Sequence, residues 1–217
     1  MTTDGGVDAD RCGADPVRED GRPRTVTVRG AGSGLPLRVA VIIGSTREGR
    51  IGDAVGRWFM ERAQGRSELE LAVLDLADFD FPVHYPGRAT GQMTEFTEEI
   101  ARAEAFVVVT PEYNRSFPAS LKQAIDFAYE EWQTKPVAFV SYGHGSAGLY
   151  AVEQLRSVFT ELHTVTLRNG VALDLLQPLE EHSGDTRRDR SVGLMLDQLG
   201  WWGWALREAR AVRPYVS

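Results

Sequence analysis

The chain has 217 residues, 42% of them hydrophobic, which supports one substantial core and favours a single domain with a tail over two domains. Its net charge of −7 comes without the clustered basic face of a nucleic-acid protein, so the acidic balance reads as solubility. The only cysteine, Cys12, lies in a stretch rich in Gly, Asp and Arg, which argues against a disulfide framework, a thiolate metal cluster and a catalytic thiol, and fits a reducing cytoplasm.

The first residues, Met-Thr-Thr-Asp-Gly-Gly, carry neither the basic lead nor the apolar segment of a secretory signal. No later apolar run is long enough to insert in a membrane. Residues 1–36 offer little to bury and read as a disordered extension, with the folded domain expected over 37–217. Gly30-Ala-Gly-Ser-Gly34 precedes the first strand, whereas a phosphate-binding glycine loop follows one, so it reads as a hinge.

From Leu37 onward short apolar runs alternate with helical patterns. Strands are expected at 38–43, 69–74, 105–110, 137–142 and 164–167, several of them apolar on both faces as buried parallel strands must be. Helices are expected at 53–64, 92–104, 119–131 and 149–162. Met93, Phe96, Ile100 and Ala103 form one apolar stripe, and Val152, Leu155, Phe159 and Leu162 another. A last helix over 191–213 places Val192, Met195, Leu196, Leu199, Trp202 and Leu206 on one face. Trp201 and Trp204 fall off that stripe, which suits either edge packing or a subunit interface.

Strict alternation of strand and helix implies an α/β fold, a doubly wound five-stranded parallel sheet, and five strands favour the flavodoxin-like order 2-1-3-4-5. In that order strands one, three and four are neighbours. The loops that follow them, 44–52, 111–118 and 143–148, are also the loops richest in Gly, Ser and Asn.

Gly44-Ser-Thr-Arg-Glu-Gly-Arg-Ile-Gly52 joins the first strand to the first helix with two hydroxyls and two guanidiniums where helix amides point outward, the chemistry of an anion site. Ser45 and Thr46 can bond phosphate oxygens and Arg47 can grip two at once, while Arg50 either adds charge or faces water. A Walker loop is excluded, because the spacing ending in Gly-Lys-Ser/Thr is absent. Beyond the third strand, Pro111 and Pro118 stiffen a connection in which Tyr113 and Asn114 supply a flat ring and a two-sided amide, suited to a planar polar heterocycle.

Thr110-Pro-Glu-Tyr-Asn114, with Pro118-Ala-Ser-Leu-Lys-Gln-Ala-Ile-Asp126, resembles the signature of the NADPH-dependent FMN reductase family, flavodoxin-like flavoproteins that include quinone, azo and chromate reductases. Gly44-Ser-Thr-Arg47 looks like the family's phosphate loop, and Ser141-Tyr-Gly143 with Gly148 looks like its third flavin loop. The resemblance implies that Ser45, Thr46, Arg47, Ile51 and Gly52 cradle the FMN phosphate. It implies that Pro111, Glu112, Tyr113, Asn114 and Ser116 flank the isoalloxazine, and that Gly143, His144 and Gly145 approach its pyrimidine edge through backbone N–H groups. No catalytic side chain and no metal are implied, since FMN carries the chemistry, passing hydride from NADPH or NADH to a quinone, azo, free flavin or metal-oxyanion acceptor by a ping-pong mechanism. A homodimer or homotetramer is implied as well, with Lys122 and Asp126 available to subunit packing.

The family more often has adjacent glycines where this chain has Gly143-His-Gly-Ser-Ala-Gly148. The His144 side chain is left either donating to the flavin carbonyl or projecting into solvent. His84, His163 and His182 are too scattered for a metal site. Three other readings compete, one of them a flavin-containing interaction or sensor protein with no important turnover. The same run is literally G-x-G-x-x-G with Arg168 at the next strand end, as in a Rossmann dehydrogenase, although it follows the fourth strand and leaves two loops unexplained. A flavodoxin-type electron carrier would also bind FMN; the arginines of the first loop and the aromatic loop 75–91, with Phe79, Phe81, His84 and Tyr85 placed to wall a pocket, favour the reductase.

Overall fold

A computed structural model describes residues 35–179 and 186–216; most of the expected extension, the Gly30–Gly34 segment, Cys12 and His182 lie outside them. The elements run β1 (Leu37–Ile43), α1 (Gly52–Ala63), β2 (Leu69–Asp75), α2 (Gly91–Arg102), β3 (Ala105–Pro111), α3 (Ala119–Asp126), β4 (Pro136–Gly143), α4 (Leu149–Glu161), β5 (Val165–Thr166), β6 (Val171–Asp174) and α5 (Thr186–Val212). Runs such as Ala-Phe-Val-Val-Val-Thr-Pro in β3, buried at every position, can exist only where both sheet faces are covered. Alternate residues of β1 accordingly feed two cores. Val39, Val41 and Ile43 meet α1 and α5, whereas Ala40 and Ile42 face the layer that carries Phe96, Leu121 and Leu155.

All strand pairs are parallel, in the order β2-β1-β3-β4-β5 expected from the sequence, with β6 also paired to β4. The fifth position is therefore occupied by two short strands, making six in all. β5 pairs with Pro136 and Val137 of β4, and β6 pairs with residues from Val140 to Gly143. The break at 167–170 follows from Arg168-Asn-Gly170, a turn signal, and from Gly170, where a Cβ would come 2.8 Å from the Phe139 carbonyl oxygen. Arg156 donates to the carbonyls of Leu167 and Arg168 at 2.5 and 3.1 Å, satisfying groups that the break leaves off the ladder.

Two helices differ from the periodicity. α3 stops at Asp126 instead of residue 131, because the fully buried Trp132 turns back and its Nε1 donates to the Ile125 carbonyl at 3.0 Å, the acceptor a further helical turn would use. In α5 the apolar stripe holds through Leu199 and then shifts: Trp202 is 38% exposed, while Trp204 packs against the core beside the buried Gly200 and Gly203. A Cβ on Gly203 would lie 2.3 Å from Leu37 Cδ2, so the helix makes its closest approach to the sheet through a residue with no apolar side chain to signal it. Trp201 is 64% exposed and meets Trp202 edge-on at 5.0 Å. No helix among the described residues is long and apolar enough to cross a membrane.

Lys135, 7% exposed, enters β4 with its Nζ donating to the carbonyls of Ile100 and Ala101 at 2.8 and 3.0 Å, which closes the C-terminus of α2. Burial pushes its pKa down to about 8, helped by Arg210 and opposed by Glu131 and Glu104. Between this value and the ordinary 10.5 the unfolded chain binds the extra proton, so stability rises with pH across that window. Wild-type unfolding free energy, measured relative to Lys135→Met by denaturant titration, is expected to increase by up to about 3 kcal/mol from pH 8 to pH 10.5; a flat difference would contradict it.

Candidate functional site

Because β3 lies between β1 and β4, the three strand ends at Ile43, Pro111 and Gly143 open side by side on one edge. Backbone bonds then stitch the loops to their neighbours: Gly44 N–H donates to Val109 and Glu112 N–H to Tyr142, at 2.9 and 3.0 Å. The Ser120 hydroxyl reaches back to the Gly44 carbonyl at 3.1 Å. The sequence-predicted residues of all three loops are thereby brought together.

In the first loop Ser45 is buried, whereas Thr46 and Arg47 are exposed and Ile51 is 38% exposed. The amides of Thr46, Arg47, Glu48 and Gly49 donate to no acceptor among the described residues. α1 begins behind Ile51, whose apolar side chain cannot cap it, so its leading amides stay open too. Arg47 makes no ion pair among the described residues. Arg50 does something else: it donates to the Ser45 carbonyl at 2.5 Å and grips both Asp75 oxygens at 2.5 and 2.6 Å, tying the loop to the end of β2. Hydrogen bonding to Asp75 raises the Arg50 pKa further, so the guanidinium stays charged throughout the working pH range. Burial, with the Asp75 charge added, raises the Asp78 carboxyl in the same corner.

The second loop holds a tight turn. Tyr113 and Ser116 exchange backbone bonds of 2.8 and 2.9 Å, and both residues between them, Asn114 at φ 51° and Arg115 at φ 68°, are left-handed. Asn tolerates that region; for Arg it is strained by about 1–2 kcal/mol. Gln154 of α4 holds the turn, donating to the Arg115 carbonyl at 2.8 Å and accepting from the Ser116 hydroxyl at 2.6 Å, while the Arg115 guanidinium lies 4.1 Å over the Tyr150 ring. Pro111 is buried at the strand end. Glu112 accepts from Tyr150 N–H at 3.1 Å, a carboxylate at the first turn of α4.

In the third loop Gly145, Ala147 and Gly148 are left-handed. Gly143 is buried at the end of β4 and His144 is exposed. The Gly145 amide, expected at the pyrimidine edge, already donates at 2.8 Å to Asp174, which also accepts from Leu176 N–H at 3.0 Å. The amides of His144, Ala147 and Gly148 find no acceptor among the described residues. Sequence reasoning missed Asp75, Tyr142, Gln154 and Asp174. Asp174 ends a four-residue strand whose place was set only by pairing, and Gln154 lies on the polar face of an ordinary amphipathic helix.

Of the aromatic loop, Phe79 and Phe81 stack at 5.4 Å and pack against Phe96, with Phe81 also meeting Phe127, which makes them core. Tyr85, 68% exposed, leans on Phe127 at 5.5 Å, and it and the exposed His84 are the rings of this loop at the surface. Lys122 and Asp126 pair with each other along α3 at 2.6 Å. Among the described residues no cluster of His, Cys, Asp or Glu has the form of a metal site. Open amides, an unpaired arginine and a hydroxyl-lined floor at one end, with a rigid amide-bearing turn at the other, fit an elongated ligand that is anionic at one end and flat at the other, as FMN is.

A family model described as NADPH-dependent FMN reductase matches residues 37–175, which include every one of these loops. An NAD(P)H-dependent FMN reductase of Schizosaccharomyces pombe is 35% identical over 130 residues, covering 56% of this chain and 64% of the relative. A quinone reductase of Pseudomonas putida is 37% identical over 120 residues, covering 51% and 62%. The matched segments thus span a little under two thirds of these relatives. Among solved structures, FerB, a flavoenzyme NAD(P)H:(acceptor) oxidoreductase from Paracoccus denitrificans, superposes with a TM-score of 0.66 at 24% identity, covering 78% of this chain and 98% of that one. An NADH:FMN oxidoreductase in its apo form gives 0.57 at 17%, covering 82% and 92%. At these identities the superpositions speak for the fold.

Gly148 carries the sharpest local constraint. At φ 85° a Cβ there would stand 2.5 Å from Ser141 Cβ and 2.8 Å from Tyr142 N, neither of which can retreat from a buried strand. Gly148→Ala is expected to lower unfolding free energy by roughly 2–4 kcal/mol in denaturant titrations, through strain and overpacking together; a loss below about 1 kcal/mol would show that the loop is free to rearrange.

Proposed function

The chain belongs to the NADPH-dependent FMN reductase family, and from that premise we propose that it is an FMN-dependent oxidoreductase that passes reducing equivalents from NADPH or NADH to a small-molecule acceptor. Quinones, azo compounds, free flavins and metal oxyanions are the acceptor classes, used in a ping-pong cycle. The observation that carries the reading is the uncapped N-terminus of α1 behind a loop of open amides and an Arg47 that makes no ion pair among the described residues. A neutral ligand would leave those donors unused.

The residues have distinct tasks. The amides of Thr46 to Gly49, the leading amides of α1 and the Arg47 guanidinium bind the phosphate dianion; Arg50, being spent on Asp75, shapes the loop without touching the ligand. The Tyr113–Ser116 turn, stiffened by Gln154, sets the plane of the isoalloxazine through Glu112, Asn114 and the surrounding backbone. His144 N–H is aimed at the pyrimidine edge, where negative charge gathers on reduction, and Asp174 fixes the loop that carries it. Bound FMN supplies two-electron acceptance and donation, so donor and acceptor are served in turn at one exposed face. A homodimer or homotetramer working in the cytoplasm completes the reading, with the exposed Trp201 and Trp202 of α5 as a surface available for assembly.

Anaerobic mixing of the FMN-loaded protein with NADPH or NADH, followed by a quinone, separates the alternatives. Rapid bleaching of the flavin absorbance and its recovery on adding quinone are expected. Slow bleaching accelerated only by a protein donor would instead identify an electron carrier. Arg47→Ala is expected to weaken FMN binding by about 10- to 100-fold with the far-UV circular dichroism unchanged, since a charge-assisted contact is worth about 1.5–3 kcal/mol. Undiminished affinity would remove Arg47 from the phosphate site.

A further inference from the structure

Hydroxyl groups, one from each of the three strand ends, meet beneath the phosphate loop. Ser45, with no exposed surface, has its Oγ 2.9 Å from the Tyr113 hydroxyl. Tyr142, 4% exposed, sends its phenol from β4 into the same space: a Cβ on Gly52, the first residue of α1, would lie 2.9 Å from the Tyr142 hydroxyl and 3.3 Å from Ser45 Cβ. That phenol is shut off from solvent and has no close hydrogen-bond partner. A buried hydroxyl left in this state is costly, and phenylalanine would fill the same space without the penalty. The unpaired phenol therefore calls for a role.

The groups that face it are Ser45, Tyr113, Arg50 and Asp53. Arg50 can only donate and is engaged by Asp75 and the Ser45 carbonyl, and Asp53 is paired with Arg57 at 3.0 Å. Ser45, on the same side of Gly52, remains as the neighbouring acceptor to which the phenol can turn, a bond that is not formed in this structure. Burial drives the Tyr142 phenol well above its usual pKa, against a smaller pull from Ser45, so it keeps its proton at every working pH. A hydroxyl has one proton and two lone pairs. When Ser45 Oγ receives the Tyr142 proton, the Tyr113 oxygen is the one acceptor within reach of the Ser45 proton among the described residues; Ser45 donates there, and Tyr113 turns its own proton outward. Without Tyr142 the Ser45–Tyr113 bond can run in either direction, and in one of them Tyr113 presents a lone pair outward.

We propose that Tyr142 is a positioning residue for phosphate binding: its buried hydroxyl orders the chain Tyr142→Ser45→Tyr113, so that Tyr113 offers a proton to the FMN phosphate at the N-terminus of α1. The inference rests on the FMN reading above and changes the role expected for Tyr113, from flanking the ring to binding the phosphate. It also means that Ser45 serves the phosphate by its backbone and through Tyr113, its hydroxyl being committed below the surface. No proton is transferred; only the direction of two hydrogen bonds is set.

Riboflavin, which has the ring and lacks the phosphate, is the probe that separates this role from a structural one. The full-length protein, stripped of flavin, is titrated with FMN and with riboflavin, following the quenching of flavin fluorescence. Tyr113→Phe is expected to weaken FMN binding by roughly 10- to 100-fold and riboflavin binding hardly at all. Tyr142→Phe and Ser45→Ala are expected to weaken FMN selectively by about 3- to 10-fold, and Tyr142→Phe is expected to add nothing once Tyr113→Phe is present. An unchanged ratio of FMN to riboflavin affinity in Tyr142→Phe, or full additivity in the double variant, overturns the inference and leaves the FMN reading intact. A wild-type protein that takes up neither flavin overturns both.

Discussion

The placement of β3 between β1 and β4, with every one of its seven residues buried, is the constraint on which the rest depends. A strand covered on both faces cannot slip by one residue without exchanging its two sets of side chains between the two cores. Its register therefore fixes the registers of both neighbours, and so fixes where each chain leaves the sheet. Three loops distant in sequence are thereby delivered to one edge. At that edge the ladder bonds run out, and amides of the loops are left without partners among the described residues.

Holding those loops falls to a second set of residues, mostly at the margins. Arg50 and Asp75 anchor the first loop to β2, Gln154 and Tyr150 hold the second to α4, and Asp174 holds the third to β6. Each clamp joins a loop to an element outside it, so a distortion in one loop is resisted by a different part of the fold. The left-handed Asn114 and Arg115 sit where this support is densest, as expected for backbone strain that the surroundings must over-determine. Ionic contacts elsewhere serve the frame. Glu104, whose carboxyl burial would raise, is instead held below its usual range by hydrogen bonds from Arg207 and the Arg38 amide, and Arg207 also binds the carbonyls of Leu35 and Pro36. That network joins the start of β1 and the approach to β3 to the end of α5, on the side of the sheet away from the site.

Where sequence and structure part, the reason is physical in each case. The fifth strand could be read only as far as Leu167, because Arg168-Asn-Gly170 is a turn signal and the four residues that resume pairing carry too little pattern to be recognised alone. α3 was overestimated because the stretch 119–131 keeps helical spacing, and nothing local announces that Trp132 will claim the Ile125 carbonyl. On α5 the wrong tryptophan was assigned to the core. Periodicity follows apolar side chains, while the contact with Leu37 is made by Gly203, which has none. Arg50 and Arg47, three residues apart in one loop, look alike in sequence, and only the position of Asp75 separates the clamp from the arginine without an ion pair among the described residues.

By itself the sequence determined the fold class, the strand order and the three loops that the sheet gathers at one edge, because buried parallel strands and glycine-rich loops leave patterns within short windows. It also carried the family resemblance, through motifs contiguous along the chain. The tertiary structure decided how the residues divide their work: which arginine is free, which amide is already taken by Asp174, and which hydroxyls meet under the loop. These are relations between residues from 25 to 68 positions apart. Hydrogen bonds act over about 3 Å, so such partners are chosen only after packing has brought them within reach.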